Sequence, residues 1–346
     1  MSQRTTIVDV ASAAGVAISS ASAALNGQPG VSNATRERIH RIAEELEYVP
    51  SQRGRSLASK RAFTIGFVVQ RAPEVMSADP FFGAFIAGVQ KAITDSGYVM
   101  VFQISPSWEL SERLYRRFAA ARQVDGVLVD QLHVNDERIG LVKELGLPAV
   151  VIAPDTVDVP LPLTGQSAVP GVTALVNHLV DLGHRDIAHV AGRLDYVHSA
   201  ERRNTWAAAV SARGLQPGVQ IEADFTVASG KQAAERLMRL DRLPTAVVCV
   251  NDLCAIGLMA GLQAGGVDVP GKISVTGFDG IDLSSHVHPS LTTVKAMPEA
   301  VGETAAAMLL ELIADPGRAP WTVPIAPGPL VIGASTAPPR SVVTDS

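Results

Sequence analysis

Short apolar runs recur from Phe63 onward, and segments with helical periodicity separate them. The runs are continuous rather than alternating, which is typical of strands in a parallel sheet that helices cover on both faces. They lie at Ile65–Val69, Tyr98–Phe102, Gly126–Val129, Ala149–Ile152, Ile187–Val190, Ala246–Val250 and Ile273–Thr276. The helical segments lie at Phe82–Ser96, Trp108–Arg122, Gly171–Leu182, Arg202–Arg213, Gly230–Leu240 and Asp252–Ala264. This alternation predicts an α/β core of two doubly wound parallel-sheet halves, with ligands beyond the carboxyl ends of the strands.

The first 61 residues follow a different, purely helical pattern. Ile7–Asn26 is rich in Ala, has apolar residues at helical spacing, and is interrupted by Gly15. We expect a helix on each side of Gly15, the first capped by Thr5 or Thr6. A longer helix is expected from Asn33 to about Leu46. Two short helices joined by a tight turn predict an all-α helix-turn-helix head, whose second helix contacts DNA.

Charge is distributed unevenly along the chain. Residues 1–61 hold eight Lys or Arg and five acidic side chains, a net charge of +3, and the remainder holds 21 basic and 29 acidic side chains, a net charge of −8. A basic head on an acidic body confines contact with a polyanion to the head. Ser51–Ser59 is short, polar and basic, and we expect this linker to order only on a partner.

The chain lacks the patterns of several other protein classes. It has neither an apolar stretch of about 18 residues, as a membrane-spanning helix requires, nor an apolar core of signal-peptide length near its start. We therefore expect a cytoplasmic protein that does not bind membranes. Cys249 and Cys254 lack the spacing of a zinc pair and are expected to be small buried side chains. The common nucleotide-loop, nucleophile-elbow and zinc-protease motifs do not occur, so we predict neither an enzyme nor a bound cofactor or metal.

Candidate ligand-binding residues lie at the ends of the predicted strands. They are Asp79, Phe81, Phe82, Asn251, Asp252 and Asp279. Arg202, near a helix start, can form paired hydrogen bonds with a ligand oxygen, although a surface arginine fits the spacing as well. Each phenylalanine can equally pack beneath its helix. The carboxylate pairs Asp125 with Asp130, and Asp279 with Asp282, are more typical of polyol binding or helix capping than of acid–base catalysis.

Ordered motifs run along nearly the whole chain. In the head they are Ile7–Ala11, Ala14–Val16, Ala24–Gly27, Tyr48–Pro50 and Arg55–Leu57, and in the core Asp79–Phe82, Val124–Gly126, Leu182–His184, Val275–Asp279 and Pro289–Val294. Together they resemble the LacI/GalR (lactose-repressor/galactose-repressor) family of bacterial transcriptional regulators. The resemblance implies a homodimeric repressor that binds a pseudo-palindromic double-stranded DNA operator. It also implies a periplasmic-binding-protein-like core that holds a small effector, a sugar or sugar derivative, between two subdomains.

The resemblance also implies boundaries and site residues. The helix-turn-helix domain spans 1–50, the hinge helix 51–61, the effector-binding core 62–339 and the tail 340–346. One core subdomain comprises about 62–161 and 291–322, and the other about 162–290 and 323–339. The implied DNA contacts are Thr6, Ile18, Ser19, Ser20, Ser22, Ala23 and Asn26 in the head and Arg53, Arg55 and Leu57 in the hinge, where Leu57 is the minor-groove wedge. The implied effector contacts are Asp79, Phe81, Phe82, Arg202, Phe225, Asn251, Asp252 and Asp279.

The second head helix departs from the family pattern. The family usually has an arginine directly after the serine that here is Ser22, whereas this chain has Ala23. The two variable base-reading positions are Ile18 and Ser19. Because no arginine is present in this helix, the common arginine–guanine contact is missing. We expect weak base discrimination in each half-site, with more specificity from the hinge and from DNA shape.

The core departs from the family pattern as well. Ala153 stands at a strand end where the family often has an Asp, and Ser167–Ala168 replace an Asp-Asn pair. We therefore expect fewer acceptors for ligand hydroxyl groups than the family pattern provides. The effector is then either less hydroxylated than a free hexose or held mainly by Asp79, Arg202, Asp252 and Asp279.

Two other functions fit part of the pattern. A solute-binding protein without DNA function would share the core, but the basic head and the lack of a signal segment disfavour it. An enzyme built on the same core is disfavoured because the sequence has no recognisable set of catalytic residues. A DNA regulator is distinguished from both by DNA affinity that falls steeply with salt and changes when an effector is added.

Overall fold

The chain folds into two compact units, a helical head that ends at Phe63 and an α/β core that begins at Thr64. The computed structural model describes residues 5–48, 56, 59, 61–71, 76 and 79–340. The expected all-α head and α/β core are therefore confirmed.

The head consists of three helices, α1 (Ile7–Ala13), α2 (Ile18–Leu25) and α3 (Asn33–Glu45). The axes of α1 and α2 differ by 105°, within the range for a helix-turn-helix. The head core contains many alanines, and Ala21 and Ala24 of α2 are fully buried in the same cluster as Val10 and Ile39. Small side chains on α2 allow the helices to lie close together although the unit is small.

Two N-cap residues fix the helix starts. Thr6 is the N-cap of α1, and both its backbone N–H and its hydroxyl donate to the Asp9 carboxylate, at 2.8 and 2.7 Å. Ser32 is the N-cap of α3, where its hydroxyl accepts from the Thr35 backbone N–H at 3.3 Å. These bonds satisfy backbone donors that the first helical turn leaves without partners.

The core alternates strands and helices along the chain. In order they are β1 (Thr64–Gln70), α4 (Pro80–Ile93) with a 3₁₀ turn (Thr94–Ser96), β2 (Val99–Ser105), α5 (Trp108–Ala120), β3 (Gly126–Val129), α6 (Glu137–Glu144), β4 (Ala149–Ile152), β5 (Leu163–Gly165), α7 (Val169–Asp181), β6 (Ile187–Ala191), α8 (Val197–Ala212), β7 (Gln220–Glu222), α9 (Val227–Met238), β8 (Ala246–Cys249), α10 (Asp252–Ala264), β9 (Ser274–Thr276), α11 (Leu283–His286), β10 (Thr293–Val294), α12 (Pro298–Ala314), β11 (Thr322–Pro324) and β12 (Leu330–Val331).

The core strands form two parallel sheets, as the apolar runs predict. The first sheet has the order β11–β5–β4–β3–β1–β2, and the second has the order β7–β6–β8–β9. A short antiparallel ribbon pairs β10 with β12. The chain leaves the first sheet after β5, returns to it for α12 and β11, and then pairs with β10 through β12.

Helices cover both faces of each sheet. In the second sheet, α9 and α10 bury one face and α7 and α8 bury the other. Over the first sheet, α4 packs against α12, where a Cβ added to Gly88 would lie 2.0 Å from the backbone oxygen of Glu299. Only glycine permits that approach. Cys249 and Cys254 are free and buried in the α9/α10 layer, as expected.

Helix α8 differs from its prediction in a way that affects the site. We expected a helix from Arg202, but it begins at Val197. Its first turn has no acidic side chain and no side-chain cap, so the sequence carries little signal for its start. The earlier start places His198, Glu201 and Arg202 on consecutive turns of one helix.

Candidate functional site: the core cavity and the helix-turn-helix surface

A cavity of about 110 Å³ lies at the strand ends of the core, and residues from both sheets line it. Its polar lining consists of Arg71, Asp79, Asp130, Gln131, Gln166, His198, Glu201, Arg202, Asn251 and Asp279. Its apolar lining includes Phe81, Leu132, Ile152, Ala153, Phe225 and Phe278. An apolar wall with convergent polar groups at strand ends is the usual setting for a small ligand in this type of fold.

Most of the residues predicted for effector binding meet in this cavity. Asp79, Phe81, Arg202, Phe225, Asn251 and Asp279 line it, whereas Phe82 and Asp252 are not among the described lining residues. Phe82 is almost completely buried beneath its helix, one of the two alternatives for that side chain. The strand-end rule therefore grouped residues that line one cavity, but it did not distinguish side chains that face the cavity from those that support its wall.

Arg202 and Asp279 form an ion pair on one wall of the cavity. The Arg202 Nη2 lies 3.4 Å from Asp279 Oδ1, and both side chains are only 14% exposed. The guanidinium carbon lies 3.9 Å from the centre of the Phe278 ring, and Nη1 donates to the Val250 carbonyl at 2.5 Å. The Nε–H has no hydrogen-bond partner among the described residues. Arg202 is thus held rigidly while one buried donor is available to a ligand or a water molecule.

Asp279 carries a carboxylate that the protein only partly stabilises. Burial raises the pKa of Asp279 well above its usual value, and the neighbouring Arg202 guanidinium opposes that rise. Its backbone φ is +119°, in a region that residues other than glycine rarely adopt. Strained backbone of this kind is common at binding sites, where the surrounding structure maintains it. A ligand hydroxyl that donates to this carboxylate would replace the missing solvation.

Asp79 and Arg71 form a second pair, on the side of the first sheet. Asp79 is the N-cap of α4, where Oδ1 accepts from the Phe81 backbone N–H at 3.0 Å. Its Oδ2 lies 3.5 Å from Arg71 Nη1. Burial raises the pKa of Asp79, and the charges of Arg71 and Arg202 oppose the rise.

Asn251 and Asp252 act mainly within the protein. The Asn251 carbonyl oxygen caps α10 by accepting from the Cys254 N–H at 2.9 Å, and its amide donates to the Phe225 carbonyl at 3.0 Å. The fully buried Asp252 carboxylate accepts from the hydroxyls of Thr293 and Ser284 at 2.5 and 2.6 Å. It also accepts from the backbone of the loop that follows β9. These two residues fix the loops around Asp279 and Phe225.

Although Ala153 and Ser167–Ala168 lack the acids of the family pattern, four carboxylates line the cavity. Asp130 and Glu201 join Asp79 and Asp279 there. Glu201 lies over the start of α7, where it accepts from the Ser167 hydroxyl and the Ala168 N–H, both at 2.9 Å. Its position follows from the early start of α8, so the acid absent from 167–168 is supplied from another helix.

Six of the described polar lining residues were not predicted as site residues, namely Arg71, Asp130, Gln131, Gln166, His198 and Glu201. Arg71 directly follows β1, and Asp130 and Gln131 directly follow β3, so the same strand-end rule could have found them. His198 and Glu201 lie on the first two turns of α8, whose start the sequence did not reveal. Burial lowers the pKa of His198 well below its usual value, and Arg202 and Arg71 lower it further, so the ring is neutral. A neutral imidazole offers a ligand one donor and one acceptor.

Phe225, which lines the cavity on the side of the second sheet, can take its position only because residue 192 is a glycine. A Cβ added to Gly192 would lie 2.5 Å from the Phe225 ring. Phe225 itself has φ of +73°. The ring is therefore pressed onto the end of β6, where it forms one flat side of the cavity.

The predicted DNA-contacting residues lie on or beside α2. Ile18 is 50% exposed, and Thr6 and Ser19 are exposed. Ser20, Ser22, Ala23 and Asn26 are half-buried. The Asn26 amide donates to the Ser22 carbonyl at 2.9 Å and to the Ser22 hydroxyl at 3.3 Å. The most exposed positions of α2 are thus one apolar and one hydroxyl side chain.

Three predicted DNA contacts, Arg53, Arg55 and Leu57, lie outside the described residues. Among the residues that are described, no helix is long and apolar enough by itself to cross a membrane, although α1 and α2 taken as one bent pair pass the length and composition test. Nor does any group of three or more His, Cys, Asp or Glu side chains within the described ranges have the arrangement of a metal site.

The chain is similar to known bacterial regulators along most of its length. Residues 6–51 match the model described as bacterial regulatory proteins, lacI family, and residues 176–336 match the periplasmic binding protein-like domain. The HTH-type transcriptional repressor PurR of Aliivibrio salmonicida (strain LFI1238) is 34% identical over 319 residues, which cover 90% of this chain and 92% of that protein.

Two solved structures have the same architecture. The complex of the transcriptional regulator CelR with cellobiose has a TM-score of 0.74 and 30% identity, covering 96% of this chain and 100% of that one. The lac repressor dimer bound to operator and the anti-inducer ONPF has a TM-score of 0.80 and 28% identity, covering 97% and 100%.

Proposed function

This chain belongs to the lacI family of bacterial regulatory proteins, and we propose that it represses transcription by binding operator DNA with an affinity that a sugar effector controls. Family membership makes it a DNA-binding transcriptional regulator rather than an enzyme. The effector, the residues that bind it and the residues that read DNA are the parts that we propose.

The observation that carries the effector assignment is the polarity of the core cavity. Two arginines, four carboxylates and a neutral histidine converge there from both sheets, between flat phenylalanine rings. Carboxylates accept hydroxyl protons, arginine donates to ring and hydroxyl oxygens, and aromatic faces pack against the C–H face of a sugar. The similar CelR structure contains cellobiose. We therefore assign a sugar or sugar derivative to this cavity, with Arg202 and Asp279 as its principal hydrogen-bonding pair.

The DNA-binding role rests on the head. The similar lac repressor structure is a dimer bound to operator, and we propose that this chain likewise acts as a homodimer on a pseudo-palindromic duplex. Ile18 and Ser19 are then the positions of α2 that face the base edges. Neither can make the paired hydrogen bonds by which arginine selects guanine. More of the specificity is assigned to Arg53, Arg55 and Leu57 and to DNA shape.

Coupling between the cavity and DNA requires two arrangements of the core. We propose two subdomains, one of about 62–161 with 291–322 and the other of about 162–290 with 323–339. The two separate sheets and the position of α12 over the first sheet support this division. At its boundaries it differs from the sheets, because β5 and most of β11 fall in the second range but pair within the first sheet. A sugar that contacts both sheets stabilises one arrangement over the other by its differential affinity. We place the protein in the cytoplasm, where operator DNA is found.

The test is an operator-binding assay with cavity variants. Binding-site selection supplies the duplex, and a thermal-shift screen of sugars supplies the ligand. We expect DNA affinity to fall linearly on a log–log plot against salt, and the selected sugar to change that affinity. Arg202→Ala should retain DNA binding but lose the response to the sugar. The control is Arg239→Ala, a surface arginine whose side chain is 80% exposed. Loss of the response in both variants, or in neither, would contradict the assignment of Arg202.

A further inference from the structure

Arg71 is a buried arginine that lines the cavity, and its side chain contacts residues from both halves of the core. It directly follows β1 of the first sheet, and its side chain is only 5% exposed. The guanidinium carbon lies 4.8 Å from the ring centre of Phe225, 5.4 Å from that of Tyr196 and 5.9 Å from that of Phe82. Phe225 and Tyr196 belong to the second half of the core. These three rings, which we term the aromatic cage, surround a planar cation at cation–π distances.

Hydrogen bonds hold the guanidinium inside the cage. Nη2 donates to Gln131 Oε1 at 2.5 Å, and Nη1 lies 3.5 Å from Asp79 Oδ2. Gln131 has φ of +54°, so the segment that presents its side chain adopts an uncommon backbone conformation. Arg71 is thus fixed along its edges by polar groups and on its faces by rings.

A flat group between aromatic rings fills the kind of space that a sugar ring would otherwise take. With Arg71 in place, the remaining cavity of about 110 Å³ is well below the range of about 300–1,000 Å³ that is common for larger organic ligands. We propose that Arg71 sets the size limit of the effector: it fills the aromatic cage and leaves room for a single sugar ring beside Arg202 and Asp279. The proposal rests on the proposed function, in which this cavity binds a sugar.

Recognition of an anionic ligand by Arg71 is the less favourable alternative. Asp79 and Asp130 already lie beside the guanidinium, and burial raises the pKa of both carboxyl groups. An incoming anion would add negative charge where two carboxylates are already poorly solvated. The position of Arg71 therefore favours a steric role over attraction of an anion.

The first test is isothermal titration of the full chain with glucose, galactose, cellobiose and maltose. We expect the unmodified protein to bind a monosaccharide at least about tenfold more tightly than either disaccharide, because forcing a second ring into filled space is costly. Arg71→Ala should gain at least about tenfold in disaccharide affinity. Arg71→Met, whose side chain fills the cage without a charge, should keep the preference for the monosaccharide over the disaccharides. A disaccharide that binds the unmodified protein as tightly as the monosaccharide would overturn the proposal.

Matched variants separate size from charge and from stability. Arg193→Ala is the control, since the Arg193 guanidinium also lies over Tyr196, at 5.5 Å, but its side chain is 54% exposed and outside the cavity lining. Its sugar selectivity should not change. Arg71→Ala removes the positive charge beside the buried carboxylates of Asp79 and Asp130, which destabilises the protein. The double variant Arg71→Ala/Asp130→Asn, which also removes one of these negative charges, is therefore measured in parallel. A gain of disaccharide binding in Arg71→Met equal to that in Arg71→Ala would overturn the steric role.

A second probe is independent of the identity of the sugar. Millimolar guanidinium chloride should raise the melting temperature of Arg71→Ala relative to equal sodium chloride, because the vacated cage accepts the free cation, and it should not do so for the unmodified protein. Uptake of guanidinium with no binding of any of the four sugars, or of any sugar in the thermal-shift screen, would support occupation of the cage by Arg71 and refute the sugar assignment of the proposed function. If neither Arg71→Ala nor the double variant takes up guanidinium, and neither gains disaccharide binding, the proposal is overturned.

Discussion

Arg36 fastens helix α3 to the end of the DNA-contacting helix α2. Its Nη1 donates to the Ala24 carbonyl at 2.7 Å, and its Nη2 donates to the Gln28 carbonyl at 2.6 Å. Carbonyls at the end of a helix have no partner within the helix, and a cation there also interacts favourably with the helix dipole. We predict that Arg36→Ala destabilises the head by loosening α2, without removing a DNA contact.

The magnitude follows from the two hydrogen bonds. A hydrogen bond from a charged donor contributes about 1.5–3 kcal/mol when buried. The bond to Ala24 is half-buried and the bond to Gln28 is exposed, so solvent screening reduces their sum to about 1–3 kcal/mol. In a domain of this size each kcal/mol lowers the melting temperature by about 4–8 °C, which predicts a decrease of roughly 4–24 °C for the head.

Two measurements on the full chain distinguish this role from a DNA contact. Amide hydrogen exchange should become faster in α2, whereas Arg38→Ala, an exposed arginine on the same helix, should leave it unchanged. Operator affinity should fall in Arg36→Ala while the slope of log affinity against log salt stays the same. If exchange in α2 is unchanged and the slope decreases by about 0.9, the value for one phosphate contact, Arg36 contacts DNA and the structural reasoning is wrong.

Three further predictions concern the pH response, the cavity wall and the operator. The buried ring of His189 donates through Nδ1 to the Val248 carbonyl at 2.8 Å, and burial lowers the pKa of His189 from 6.5 to about 4. The neutral ring therefore makes its full contribution to stability above pH 6.5. That contribution is lost as the pH falls towards 4, by up to about 3 kcal/mol. Urea denaturation across this range should show a smaller loss for His189→Gln, and equal losses would contradict the assignment. Asp252→Ala should lower the free energy of unfolding by about 3 kcal/mol or more, because the Ser284 and Thr293 hydroxyls lose their buried acceptor, whereas an unchanged unfolding midpoint would show that water replaces the carboxylate. Binding-site selection should return half-sites without a strong guanine requirement; a strictly specified guanine-rich half-site would refute the reading of Ile18 and Ser19.

The sequence predicted the core strands where the apolar runs were continuous. Strands β3 and β4 begin and end where expected, as does helix α10, because burial on both faces selects continuous apolar residues. The three-residue strands β5 and β11 were missed, since so short a segment has no measurable periodicity. Helix α6, whose apolar and polar residues are poorly separated, was missed for a similar reason.

The site was predictable in position but not in full composition. Parallel topology brings strand ends together, so Asp79, Asn251 and Asp279 could be grouped before any coordinates were known. The sequence could not distinguish Asp252 from these residues, because only the packed structure shows that its carboxylate accepts hydrogen bonds inside the protein instead of lining the cavity. Glu201 and His198 depend on a first turn of α8 that lacks the usual helix-start residues. The chemistry of the cavity therefore becomes clear only after the backbone is placed.

The most direct test of the account measures operator affinity with and without a bound sugar. Fluorescence anisotropy of the selected duplex, titrated with the full chain at several salt concentrations, gives the affinity and its salt slope. We predict a steep salt slope and a change in affinity of about fivefold or more when the sugar is present. A sugar that binds the core cavity, as judged by loss of binding in Arg202→Ala, but leaves operator affinity unchanged would contradict the account.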